Sequence, residues 1–254
     1  MTPALTAALH VELRKLAASR VMRTTTVLLV AGITVLSAAL TSAAAGGNEQ
    51  VAAQLGPLAE ADDWDLLTGV AAQITAAGGL LAFGVALSWL FGREFSDATI
   101  TGLFAQPVSR RVLVLAKLLS YLLWAVLAAV ALTTIIALAG TVLGLGAWNT
   151  DVRTALGRQF VLTAVSALVA SPAAWAATLG RGTLPGIATT IGLIVVAQVS
   201  VIAGAGAWLP LAAPALWAMQ PHTVTPVQLA LVAVIPVGFA ALTTAAWGRL
   251  QLDT

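Results

Sequence analysis

Charge is scarce in this sequence, and much of it sits in one stretch. FGREFSDATITGLFAQPVSRRVLVLAK, Phe91 to Lys117, carries Arg93, Glu94, Asp97, Arg110, Arg111 and Lys117, in a chain with only 12 basic and 10 acidic residues. Such groups can pair with one another, dock a partner or hold anionic lipid. They do not assemble a nucleophile, a base and an oxyanion donor, so the chain does not read as an enzyme. Its two lysines follow Arg14 and Ala116, which leaves no Gly-Lys-Ser/Thr phosphate loop for ATP. Cysteine is absent, which excludes disulfides, thiolate metal sites and cysteine nucleophiles. His10 and His222 are too far apart in sequence to point to a histidine-rich metal centre. No metal and no cofactor is expected on this chain.

The elements that must hold these charges are apolar. Of 254 residues 59% are hydrophobic and 9% charged, against about 25% charged in a soluble domain, and the mean hydropathy is +0.97. A spanning helix needs about 20 mostly apolar residues. Six stretches qualify: Thr24–Ala45, Gly69–Phe91, Leu118–Ala147, Gln159–Leu179, Leu184–Leu209 and Val227–Trp247. The expected fold is all-α, a single polytopic membrane domain over residues 1–254. Pro236 should kink the sixth span. Ser42-Ala43-Ala44-Ala45 resembles a leader-cleavage site. The segment before it is long and contains Glu12, so the first span reads as an uncleaved anchor.

Orientation follows from the cations. Arg14, Lys15, Arg20 and Arg23 precede the first span, whereas the loop 46–68 has no lysine or arginine and five carboxylates. With the N-terminus in the cytoplasm, ten basic residues fall inside and only Arg153 and Arg158 outside, as the positive-inside rule requires. Both termini and the Phe91–Lys117 stretch are then cytoplasmic, in a multi-pass protein of a bacterial inner membrane. The net charge of +2, spread along the chain, does not describe a nucleic-acid binder.

Residues 1–23 read as a helix on the membrane surface, with Leu5, Leu9, Leu13 and Leu16 on one stripe. Glu12 lies within that stripe. It either meets a cation, with Lys15 or a loop arginine as candidates, or snorkels into water. In the charged stretch, Ser96 can cap a short helix with Asp97 in its first turn, Ile100, Leu103 and Phe104 forming its apolar face. Pro107 ends that helix and Ser109 caps the next. On physics alone this helix–break–helix either anchors to anionic lipid or docks a soluble partner. Gly140 and Gly144 form a GxxxG pair, read as ordinary helix packing or as a dimer seam. No span has a carboxylate near its centre, which counts against an ion-coupled carrier.

The N-terminal ELRKL…SR, six spans and GREFSDATITGLFAQPVSRRVLVLAK together resemble the permease subunit of ABC-2 type exporters. Gly92, Glu94, Thr99, Leu103, Pro107, Val108, Ser109, Arg110 and Lys117 match that pattern, while Ala105-Gln106 departs from it. The resemblance implies that residues 92–117 are a coupling loop seated on a separate cytoplasmic ATPase, which uses ATP and magnesium. Glu12, Arg93, Glu94, Phe95, Ser96, Asp97, Thr99, Leu103, Pro107, Arg110 and Arg111 are the expected coupling residues. It further implies a second permease copy, as a homodimer or a related chain, and a re-entrant outer segment at 208–226, for which the alternative is an ordinary outer loop with Trp208 and Trp217 at the membrane interface. Export of a hydrophobic or amphipathic compound, such as a drug, antibiotic or peptide, is the implied activity. An ion-coupled secondary carrier and a non-transporting membrane anchor or sensor are the alternatives.

Overall fold

In the computed structural model, which describes residues 3–105 and 108–250, the chain is 85% helical. The helices are α1 (Pro3–Ala18), α2 (Arg20–Ala45), α3 (Glu49–Leu55), α4 (Asp63–Ser96), α5 (Ile100–Phe104), α6 (Arg110–Val142), α7 (Thr150–Leu179), α8 (Thr183–Ile202), α9 (Ala213–Met219) and α10 (Pro226–Arg249). Among the described residues, α2, α4, α6, α7, α8 and α10 are long and apolar enough to cross a membrane. The six expected spans are therefore present, with boundaries moved by identifiable caps.

Ser109 accepts a hydrogen bond from the Val112 amide, so the third span begins at Arg110 instead of Leu118. It ends at Val142 because Gly144 and Gly146 adopt the left-handed backbone that terminates helices. Asn149 caps α7 through the Val152 amide, and this start, earlier than Gln159, carries Arg153 and Arg158 into the helix. Asp63 and Asp65 occupy the first turn of α4, where a carboxylate suits the helix's positive end, so the second span begins before Gly69. The N-terminal helix is shorter than 1–23: Ser19 breaks it and caps α2. A Thr225/Gln228 capping box opens α10, whose helix is interrupted at Val232 and Ala233, one turn ahead of Pro236. Two π-turns, Leu28–Gly32 in α2 and Thr75–Gly79 in α4, disturb otherwise regular spans.

The core lies where α4 crosses its neighbours. Phe83, Leu87, Leu90 and Phe91 of α4 are fully buried. Against α8 the contact is made by small residues: a Cβ at Gly84 would collide with Thr190, one at Gly186 with Ser88, and one at Gly92 with the backbone of Gly182. Without a hydrophobic drive between helices in lipid, such close approach is a main source of association. The GxxxG pair behaves differently. Gly140 closes on the Trp64 ring of the same chain, and Gly144 lies past the end of α6, so the two share no helical face. The 208–226 segment holds α9, flanked by the short turns Gly206–Trp208 and Pro221–Thr223, and α9 packs onto α4 and α7. The surfaces of α8 and α10 are largely apolar and exposed, with Val195, Val199, Ile202 and Val237 among the outward residues.

Candidate coupling site at the basic end

The connections α4–α6 and α7–α8 and the far end of α10 meet beside α1, at the end of the bundle where most of the basic residues gather. Four charged groups close a ring there. Lys117 Nζ lies 2.8 Å from Glu94 Oε1 and 3.0 Å from Glu12 Oε2. Lys15 Nζ lies 2.9 Å from Glu12 Oε1 and 3.0 Å from Glu94 Oε1. Lys117 is fully buried, and its third ammonium hydrogen is directed at the Leu90 carbonyl, 3.3 Å away. The remaining Glu94 oxygen accepts from the Thr99 hydroxyl at 2.6 Å. Two anions and two cations leave the ring neutral, and each of the four carboxylate oxygens and all three hydrogens of the buried Lys117 ammonium have a partner. That is the condition under which buried charge is tolerated.

Each member comes from a different part of the chain. Glu12 and Lys15 lie on α1, one turn apart, and Glu12 is buried inside the leucine stripe that holds α1 to the bundle. Glu94 lies in the last turn of α4, and Lys117 two turns into α6. Burial opposes the charge of Lys15, yet the attraction and hydrogen bonds of Glu12 and Glu94 outweigh it and hold its pKa above the ordinary 10.5. The cation that meets Glu12 is therefore a pair, Lys15 and Lys117, and no loop arginine takes part.

A second cluster joins α10 to the same place. The fully buried Trp247 ring meets Phe91, Phe95 and Phe104 edge-to-face, with centroids 5.9, 6.4 and 5.9 Å away. Its indole N–H donates to Thr178 on α7 at 3.1 Å. Arg110 lies 4.2 Å from the centre of the Phe104 ring and donates to the Leu250 carbonyl at 2.6 Å. The short helix α5 thus sits on an aromatic and ionic base contributed by α1, α4, α6 and α10.

The residues expected from sequence divide accordingly. Glu12, Glu94 and Leu103 are buried in the base; Arg93, Phe95 and Arg110 are half-buried at its edge; Ser96, Asp97, Thr99 and Arg111 are exposed. Pro107 lies outside the described residues. Ser96 does not cap α5. It ends α4, its hydroxyl donating back to Gly92, and Asp97 forms the C-cap of α4 and lies 3.7 Å from Arg93. The helix runs on because Arg93 in its last turn suits the negative end. Gly92–Ser96 belongs to α4 and Arg110–Lys117 to α6, so the connection is only 97–109. Lys117 and Trp247 were missing from the expected site. Lys117 carried two signals, its match to the family pattern and its place two turns into an apolar helix, where an unpaired cation is costly.

No curated protein matches the chain. Residues 8–198 match the family described as ABC-2 family transporter protein, which covers α2 to α7 in full together with most of α1 and α8. With six helices able to span a bilayer and a match over most of its length, the chain belongs to the ABC-2 transporter family, as a multi-pass membrane component of a transport system whose ATPase is a separate subunit.

Proposed function

We propose that the chain is the permease of an ATP-driven exporter and that α5 receives force from a cytoplasmic ATPase. The observation that carries this reading is the mounting of α5. A five-residue helix has too few internal hydrogen bonds to persist by itself, yet this one buries Ile100 and Leu103 while Thr101, Gly102 and Ala105 face outward. Its base reaches α1, α4, α6 and α10, so a push on the exposed strip moves four helices together. Asp97, Thr99, Thr101 and Arg111 are the docking residues in this reading. Glu12 and Glu94 are positioning residues, which hold the strip without touching the partner.

The cargo is a hydrophobic or amphipathic compound. A cavity of about 660 Å³ opens among Leu118, Tyr121, Leu162, Trp217 and Val237, and no charged residue lines it. The apolar exposed face of α8 suits a second permease copy, and a homodimer in a bacterial inner membrane with both termini in the cytoplasm completes the assembly. The segment 208–226 is the outer closure of the pathway.

The test is reconstitution with the partner ATPase. Arg111→Glu leaves the fold intact but abolishes stimulation of ATP hydrolysis and transport, and a cysteine at Thr101 cross-links to the ATPase. Transport by the purified chain alone, driven by a proton gradient, would replace this reading with a secondary carrier. ATPase recruitment without any transport in vesicles would leave a membrane anchor.

A further inference from the structure

At the other end of the bundle, polar groups are left without partners. A cavity of about 400 Å³ lies between the Gly56–Glu60 turn, the first turns of α4, the second and third turns of α7 and the end of α9. Arg158 and Gln159 of α7, Asp65 of α4 and Met219 line it. Arg158 forms no ion pair among the described residues, and its Nε is buried with no acceptor. Gln159 is 1% exposed, and its carbonyl Oε1 has no donor.

The orientation of that amide is fixed by chemistry. Gln159 Nε2 donates to Thr75 Oγ1 at 2.9 Å and Thr163 Oγ1 at 3.3 Å. Each hydroxyl has a single hydrogen, and both are engaged with backbone carbonyls: Thr75 with Ala71 at 2.7 Å, Thr163 with Gln159 at 2.8 Å. Turning the amide over would set its oxygen against two hydroxyls with no hydrogen to give. Oε1 is therefore held on the side away from the threonines, as an acceptor. A buried acceptor without a donor costs free energy that a bound group can return.

A ligand for this cavity must bring an anion to Arg158 and an N–H to Gln159. A simple anion leaves the carbonyl unmet, and a simple cation leaves the guanidinium unmet. Apolar Leu58, Ala72 and Ala155 share the lining, as suits a molecule that is part lipid. Among membrane constituents, a phosphate joined by two carbons to an ammonium supplies both groups at adjacent positions. We propose that this cavity binds the headgroup of an aminophospholipid, its phosphate on Arg158 and its ammonium donating to Gln159 Oε1, with the Asp65 carboxylate flanking the ammonium. The site is independent of ATP coupling, since it shares no residue with the ring at the basic end.

The full chain in nanodiscs of phosphatidylcholine doped with phosphatidylethanolamine tests this, with retained lipid read by native mass spectrometry. The two lipids share the phosphate, and only the ethanolamine form has N–H donors. Retention should favour phosphatidylethanolamine by about tenfold, the scale of one charge-assisted hydrogen bond. Arg158→Gln should lower retention of both lipids, since both carry the phosphate, and Gln159→Leu should abolish the preference. If Gln159→Leu does not fold, Met219→Trp, which fills the cavity, must give the same loss. Displacement of the lipid by O-phosphoethanolamine supports the same headgroup chemistry with a soluble source. Equal retention of the two lipids by the parent protein, or retention of both lipids unchanged by Arg158→Gln, overturns the proposal.

Discussion

The charged ring at the basic end and the cavity at the far end treat buried polarity in opposite ways. In the ring, Glu12, Lys15, Glu94 and Lys117 satisfy one another so fully that no carboxylate oxygen and no hydrogen of the buried Lys117 ammonium is left over. At the far end, Arg158 Nε and Gln159 Oε1 have no partner among the described residues. A closed network has nothing to offer a ligand and works as a joint; an open one has nothing to lose by accepting one. In the proposed reading, mechanical duty falls to the first and recognition to the second.

The largest effect should come from opening the ring. Lys117→Met leaves two buried carboxylates sharing Lys15 and should cost roughly 3–5 kcal/mol, read as thermal or denaturant unfolding in detergent. Adding Glu12→Gln restores neutrality and should recover most of that loss. A single variant that melts like the parent would remove the distinction between the ends. Next comes Gly92→Ala, which drives a methyl into the Gly182 backbone and should cost about 1–3 kcal/mol.

The pH dependence of the ring sharpens the contrast further. Lys15 has its pKa raised by folding, so its contribution is complete below 10.5 and fades as pH rises through the higher folded value. Lys15→Met and the parent should therefore differ in melting temperature at neutral pH and converge only in strong alkali. The smallest effect belongs to the far end. Arg158→Leu removes a cation that has no partner and should shift stability by less than about 1 kcal/mol, upward if at all. A large loss there would show that Arg158 is part of a closed network after all.

The spans, the Ser109 cap and, as one of two readings, a partner cation for Glu12 were legible in the sequence because each rests on neighbours along the chain. Hydropathy over 20 residues, a serine before a helix and a carboxylate in a leucine stripe are local facts. What escaped is non-local. Lys117 reaches Glu12 across 105 positions, and no periodicity announces such a pairing. Gln159 was legible only as the first residue of a span, since the orientation of its amide depends on Thr75, 84 positions away. Arg153 and Arg158 resembled loop residues because charge ordinarily marks a span's edge, whereas Asn149 starts the helix ahead of them. Trp247 stood out only as the last residue of the sixth span, and the three phenylalanines around it come from other elements.

The glycine contacts between α4 and α8 also have a mechanical meaning. Side chains between two helices act as cushions, since rotamers can give before backbones do. Where Gly92 meets Gly182, and where Gly84 and Gly186 admit Thr190 and Ser88, that cushioning is nearly absent. Two rods in such contact bend as one beam. A tilt imposed where α5 joins α4 would be delivered undamped to the far tip of the 20-residue α8, roughly 30 Å away. A helix with much of its surface exposed would then be the protein's stiffest transmitter.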